Sequence, residues 1–91
     1  MVTIIFPSIL HRITRQEKSV ILSATTVREA FTQLISRYGE PFKEKLLDPS
    51  GHPKRFLNIY INGKNIHFID NFESQLQDND ELTILPSVTG G

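Results

Sequence analysis

Between Thr26 and Gly39 the chain carries one well-marked amphipathic helix, and a helix with a single apolar face must cover that face with another element. Thr26-Val27-Arg28-Glu29 has the S/T-x-x-E capping pattern, in which a hydroxyl and a carboxylate satisfy two free N–H groups at a helix start. Val27, Ala30, Phe31, Leu34, Ile35 and Tyr38 fall at offsets of 3, 4, 7, 8 and 11 from the first, one face of about three turns. Gly39 supplies the left-handed stop. Pro41 to Leu47 allows a short further helical turn. Everything else reads as strand or loop, so the cover for the helix is a sheet.

Val2 to Phe6 reads as a strand stopped by Pro7. Ile9, Leu10 and Ile13 lead into a polar loop, and Lys18 to Leu22 forms a second strand that pairs with the first as a hairpin. After the helix, Asp48-Pro49-Ser50-Gly51-His52-Pro53 is a turn-rich loop. Phe56 to Ile61 is a strand with Leu57, Ile59 and Ile61 on one face. Asn62-Gly63 is a strong hairpin signal, because both central positions of a type I′ turn need positive φ. A short strand is expected around Asn65 to Phe68. Asp78-Asn79-Asp80 is a turn, and Glu81 to Leu85 is the last strand, ended by Pro86. The order β-β-α-β-β-β, with the first and last strands free to pair in parallel at the sheet centre, is an α+β fold of the ubiquitin-like β-grasp type. It implies a mixed sheet of four to five strands on one main helix. The expected organisation is one β-grasp domain over residues 1–86 and a flexible tail over 87–91. The expected core is Val2, Ile4, Ile21, Val27, Phe31, Leu34, Ile35, Leu57, Ile59, Ile61, Leu82 and Ile84.

Composition narrows the function. Ten basic residues balance ten acidic ones, so no global field draws the chain to nucleic acid or anionic lipid. Locally the signs separate: Arg12, Arg15 and Lys18 near the N-terminus, Lys54 and Arg55 mid-chain, and acidic residues from Asp70 to Glu81. There are no cysteines, which excludes disulfides, thiolate metal sites and a persulfide on the chain itself. The longest N-terminal apolar stretch, Ile4 to Phe6, is too short for a signal sequence or a membrane span, and the expected location is the cytoplasm. His11, His52 and His67 lack metal-ligand spacing, Ser50 and Ser87 lack a G-x-S-x-G setting, and the glycines before residue 90 are isolated. Nothing in the pattern points to an enzyme with its own active site, to a metal or to a permanently bound cofactor.

Gly90-Gly91 at the end is the exception to this blandness. At average glycine usage such an ending arises by chance roughly once in 200 chains. Two glycines make a thin tail that threads a narrow channel without side-chain clash and leaves the carboxylate reachable. The run Leu82-Thr83-Ile84-Leu85-Pro86-Ser87-Val88-Thr89-Gly90-Gly91 resembles the P-x-V-x-G-G ending of MoaD/ThiS-type sulfur carriers. Phe6-Pro7-Ser8-Ile9-Leu10, Leu47-Asp48-Pro49 and Arg55-Phe56-Leu57-Asn58-Ile59-Tyr60-Ile61-Asn62 further resemble the CysO-type branch of cysteine biosynthesis, over nearly the whole chain. The likeness departs at Ser87 and Thr89, where that branch has small apolar residues.

The resemblance implies a ubiquitin-like carrier and not an enzyme. An E1-like adenylating enzyme, using ATP and magnesium, activates the Gly91 carboxylate, and a sulfur donor converts it to a thiocarboxylate. The implied partners are that enzyme, a sulfur-accepting enzyme of the pyridoxal-phosphate cysteine synthase kind, and a metalloprotease that releases the product. Neither nucleic acid nor membrane is among them. The tail residues Ser87, Val88 and Thr89 place Gly90 and Gly91. Two further readings share the fold and tail: the small subunit of molybdopterin synthase, and a protein modifier conjugated to lysines. Alternation along the first, last and third strands turns Ile5, Leu85 and Tyr60 outward as a partner-docking group.

Overall fold

A computed structural model describes residues 1–54 and 57–86. Strand β1 spans Val2–Ile5, β2 Ser19–Leu22, β3 Leu57–Ile61, β4 Lys64–Asn65 and β5 Glu81–Pro86; helix α1 spans Val27–Tyr38 and α2 Glu40–Leu46. The strands form one sheet in the order β2-β1-β5-β3-β4. Only the central pair is parallel, with Thr3 opposite Glu81 and Ile5 opposite Thr83. Both neighbouring pairs, β1 with β2 and β3 with β5, are antiparallel. This is the β-grasp arrangement expected from the element order.

The helix forms for the local reasons read from its sequence. Thr26 Oγ1 accepts from the Glu29 N–H at 3.1 Å, the first half of a capping box. The Glu29 carboxylate reaches back one residue further than the usual box, accepting from the Thr25 N–H at 3.1 Å and the Thr25 hydroxyl at 3.3 Å. Gly39 ends α1 at φ +83° and its N–H closes onto the Ile35 carbonyl at 2.7 Å. The Asn62-Gly63 turn has φ +51° and +87°, as a type I′ hairpin needs. Asn62 also ties this hairpin to the start of β5: its Oδ1 accepts from the Glu81 N–H at 2.9 Å and its Nδ2 donates to Asp80 at 2.8 Å.

The expected core holds with two corrections. Val2, Ile4, Val27, Phe31, Leu34, Leu57, Ile59, Ile61, Leu82 and Ile84 are all buried between helix and sheet. Ile21 is 64% exposed instead, because Val2 pairs with Leu22 and Ile4 with Val20, which sends Val20 and Leu22 inward and Ile21 outward. Ile35 is only half-buried, at the margin of the helix face. A third correction concerns the strand expected near 65–68. Pairing stops at Asn65, whose Oδ1 accepts from the His67 N–H at 2.9 Å and turns Ile66–Phe68 into a 3-10 helix.

The core is completed by segments without periodicity. Phe42 and Leu46 of α2 are fully buried, as is Leu10 in the turn after β1, and Phe72 and Leu76 close the side near the start of α1. Phe6, Phe31, Phe42, Tyr38 and Phe72 form a linked set of rings with centroid separations of 5.0 to 6.2 Å. Thr14, fully buried, donates its hydroxyl to the Glu17 carbonyl at 2.8 Å and fixes the β1–β2 loop.

Candidate functional site

The outer face of the sheet, away from the helices, follows from strand alternation. Thr83 of β5 lies between Ile5 on one side and Tyr60 on the other, and Leu85 lies opposite Asn58. Ile5 and Tyr60 are half-buried by their neighbours, while Leu85 is 44% exposed. The structure therefore brings the three residues expected to dock partners onto one face around Thr83. It adds Ile21, opposite Thr3 on the same face, which the sequence pattern had assigned to the core.

This face leads to the end of β5. The parallel pairing with β1 stops at Thr83, and the last two residues of the strand pair with β3 alone, Leu85 with Asn58 and Pro86 with Leu57. The tail residues Ser87, Val88, Thr89, Gly90 and Gly91 lie outside the described residues, as do Arg55 and Phe56.

The end of the molecule around that exit is held by a small polar cluster. The Glu17 carboxylate accepts from the Tyr38 hydroxyl at 2.7 Å and from Arg37 at 3.2 Å. The Tyr38 hydrogen bond, and then the Arg37 guanidinium, lower the Glu17 pKa below the usual carboxylate value. Burial first, and the Glu17 carboxylate second, raise that of Tyr38. The cluster joins the β1–β2 loop to the last turn of α1.

No arrangement among the described residues supplies a catalytic pair. His52 Nδ1 lies 2.9 Å from Ser50 Oγ, a closeness the sequence did not signal, but the Ser50 hydroxyl proton points to Asp48 Oδ1 at 2.7 Å. In a nucleophilic triad the histidine stands between serine and aspartate; here the serine does, and its proton is held by the carboxylate. The Ser50 hydroxyl and the His52 N–H lower the Asp48 pKa, so the trio stiffens the loop before β3. Beside it runs an open groove of about 740 Å³, lined by His52, Lys54, Leu57, Phe72 and others, whose Arg28 is bonded to Glu73 at 2.6 Å. No group of three His, Cys, Asp or Glu residues that could hold a metal occurs among the described residues. None of their helices is long and apolar enough to cross a membrane.

The family model described as the ThiS family matches residues 4–91. The sulfur carrier protein CysO of Mycobacterium tuberculosis (strain ATCC 25618 / H37Rv) is 38% identical, over 99% of this chain and 98% of its own length. The crystal structure of an Amycolatopsis orientalis BexX/CysO complex contains a chain that superposes with a TM-score of 0.89 at 37% identity, covering both chains fully. The crystal structure of M. tuberculosis CysO gives 0.86, also at 37% identity, over 97% of this chain and all of that one. SAMP1 of Haloferax volcanii, 19% identical with a TM-score of 0.80, shares the fold. A family match over residues 4–91, together with 38% identity to CysO over 99% of the chain, makes this chain a member of the ThiS family.

Proposed function

We propose that this chain is a sulfur carrier of the CysO type, which bears sulfur as a thiocarboxylate on Gly91 and delivers it in biosynthesis, that of cysteine in particular. The similarity to CysO over 99% of the chain is the observation that carries this reading, and the Gly90-Gly91 ending, which resembles that of the family, supports it. The chemistry explains why the ending matters. A carboxylate is a poor electrophile. An E1-like enzyme, with its own ATP and magnesium, lets the Gly91 carboxylate displace pyrophosphate from ATP to form an acyl-adenylate. A hydrosulfide attacks the acyl carbon, AMP leaves, and loss of the remaining S–H proton gives the thiocarboxylate. The carrier has no cysteine to compete for that sulfur.

In this scheme the chain's own residues recognise and reach. Ile5, Tyr60, Leu85 and Ile21 form the apolar face that partners cover, and Ser87 to Gly91 carry the carboxylate into a partner's active site. Five residues span at most about 17 Å, so any enzyme that engages Gly91 must approach the molecule near the end of β5. The A. orientalis CysO structure, solved as a complex with BexX, supports a mode of action through a protein partner.

Incubation with ATP, an E1-like enzyme and a sulfide source, followed by intact-mass analysis, tests the proposal. Replacement of one oxygen by sulfur adds about 16 Da to an activated acyl terminus, and the gain is expected for the chain ending in Gly91 and not for one lacking it. Conjugates to lysines in place of this shift would instead mark a protein modifier.

A further inference from the structure

The chain is electrically neutral, yet the fold sorts its charges end from end. Strands β1 and β5 run in the same direction, from the turn holding Asp78 and Asp80 toward the tail exit. Helix α1 runs the same way, from Thr26 beside Gln75 to Tyr38 beside Phe6. Lys18 meets Phe6 at the exit end, α2 follows from there, and Lys54 precedes β3 where Leu57 pairs with Pro86. Most described Lys and Arg residues therefore lie toward the exit; Arg28 and Lys64 do not, and Lys54 lines the groove it shares with Asp70 and Glu73. Only Glu17, Glu40, Glu44 and Asp48 accompany the exit-end cations, and Glu17 is tied to Arg37. The far end holds Glu29, Asp70, Glu73, Asp78, Asp80 and Glu81. The molecule is 28 Å along its longest axis. That exceeds the screening length of about 8 Å at physiological salt, so a partner nearing one end responds mainly to that end.

We propose that the cationic end around the tail exit, with Arg12 and Lys18 among its exposed members, docks against an acidic surface rimming the cleft of the adenylating enzyme that takes Gly91. Arg12 and Lys18 are exposed and have no side-chain bond to another described residue, so their charge is available to a partner. The acidic far end is repelled by the same surface, and the two effects together orient the carrier tail first. Orientation of this kind acts on the encounter more than on the chemistry. The inference rests on the proposed handling of the Gly91 carboxylate.

The test uses the full chain and the E1-like enzyme that converts it, with pyrophosphate release as the readout. At low ionic strength Arg12→Glu and Lys18→Glu should each lower kcat/KM by about fivefold or more, within the range of electrostatic steering, while kcat stays near the wild-type value. The difference should close at high salt. Lys64→Glu makes the same change in net charge at the far end and should move kcat/KM by less than about twofold. An equal effect at Lys64 would overturn the proposal, since net charge alone would then matter, and so would unchanged kinetics in both exit-end variants. Binding of a labelled single-stranded oligonucleotide that is lost in Arg12→Glu, with enzyme kinetics unaltered, would overturn it in favour of a nucleic-acid surface. Failure of the wild-type chain to be adenylated at all would overturn the carrier reading itself.

Discussion

Glu17 shows how a single side chain ties the β1–β2 loop to the end of helix α1. Tyr38 and Arg37 both donate to its carboxylate, and its pKa falls below the ordinary value of 4.5. A depressed folded-state pKa means that its stabilising contribution is complete above that ordinary value and is lost as pH falls through the lower folded one. Glu17→Gln should therefore flatten the acid side of the stability profile below about pH 4.5. Urea midpoints measured at successive pH values check this; identical acid limbs in the two proteins would show that the cluster adds nothing. Leu85 has the opposite role, exposed on the sheet face six residues before Gly91. Leu85→Asp should change stability by under about 0.5 kcal/mol, as exposed substitutions do. It should weaken binding to the adenylating enzyme by more than about 1.4 kcal/mol, a tenfold change in affinity. Calorimetric titration of the folded variant decides it, and unchanged affinity would move the docking face elsewhere.

At the scale of elements, what was legible depended on whether the signal was local. Helix α1 was readable because its cap, its apolar spacing and its glycine stop all lie within its own residues. The Asn62-Gly63 hairpin was readable for the same reason. Strand β2 was found, but not its facing. Val20-Ile21-Leu22 is apolar throughout, and only the register with β1, set across a long loop, decides which residues point inward. The short helical turn expected over Pro41 to Leu47 is helix α2, but neither its place in the core nor that of the segment around Phe72 and Leu76 was signalled. Their contribution is set by tertiary packing, which no short window records. The tail reading falls on Ser87 to Gly91, outside the described residues, and the Ser50–His52 contact escaped the sequence because it depends on a loop's path. Two variants separate these cases. Phe42→Ala should cost about 3–5 kcal/mol, a buried ring lost from a shared aromatic set. Ile21→Asp should cost under about 1 kcal/mol at its exposed position. Denaturant titrations of both report the outcome, and a large loss at Ile21 would contradict the register.

At the scale of the whole molecule, the proposed function divides recognition from delivery. Among the described residues the buried apolar set runs from Val2 to Ile84. A domain of this size has about 5–10 kcal/mol of net stability, little enough that any tail contribution would register in an unfolding curve. Among the described residues the strand pairing that reaches furthest along the chain is that of Pro86 with Leu57. Removal of Ser87 to Gly91 should therefore leave the urea midpoint unchanged while abolishing adenylation. Removal of Gly91 alone should do the same, because the acyl group would then sit one residue short of a partner's reacting position, a displacement of about 3.5 Å along an extended chain. Misplacement of that order is enough to lose most of the benefit of orientation. The two truncations differ in what they leave for docking. The chain lacking only Gly91 keeps the sheet face, the charged end and most of the tail, so it should bind the adenylating enzyme and inhibit conversion of the intact carrier. A truncated chain that unfolds more readily would place the tail within the domain, and one that competes poorly would show that Gly91 itself supplies the binding.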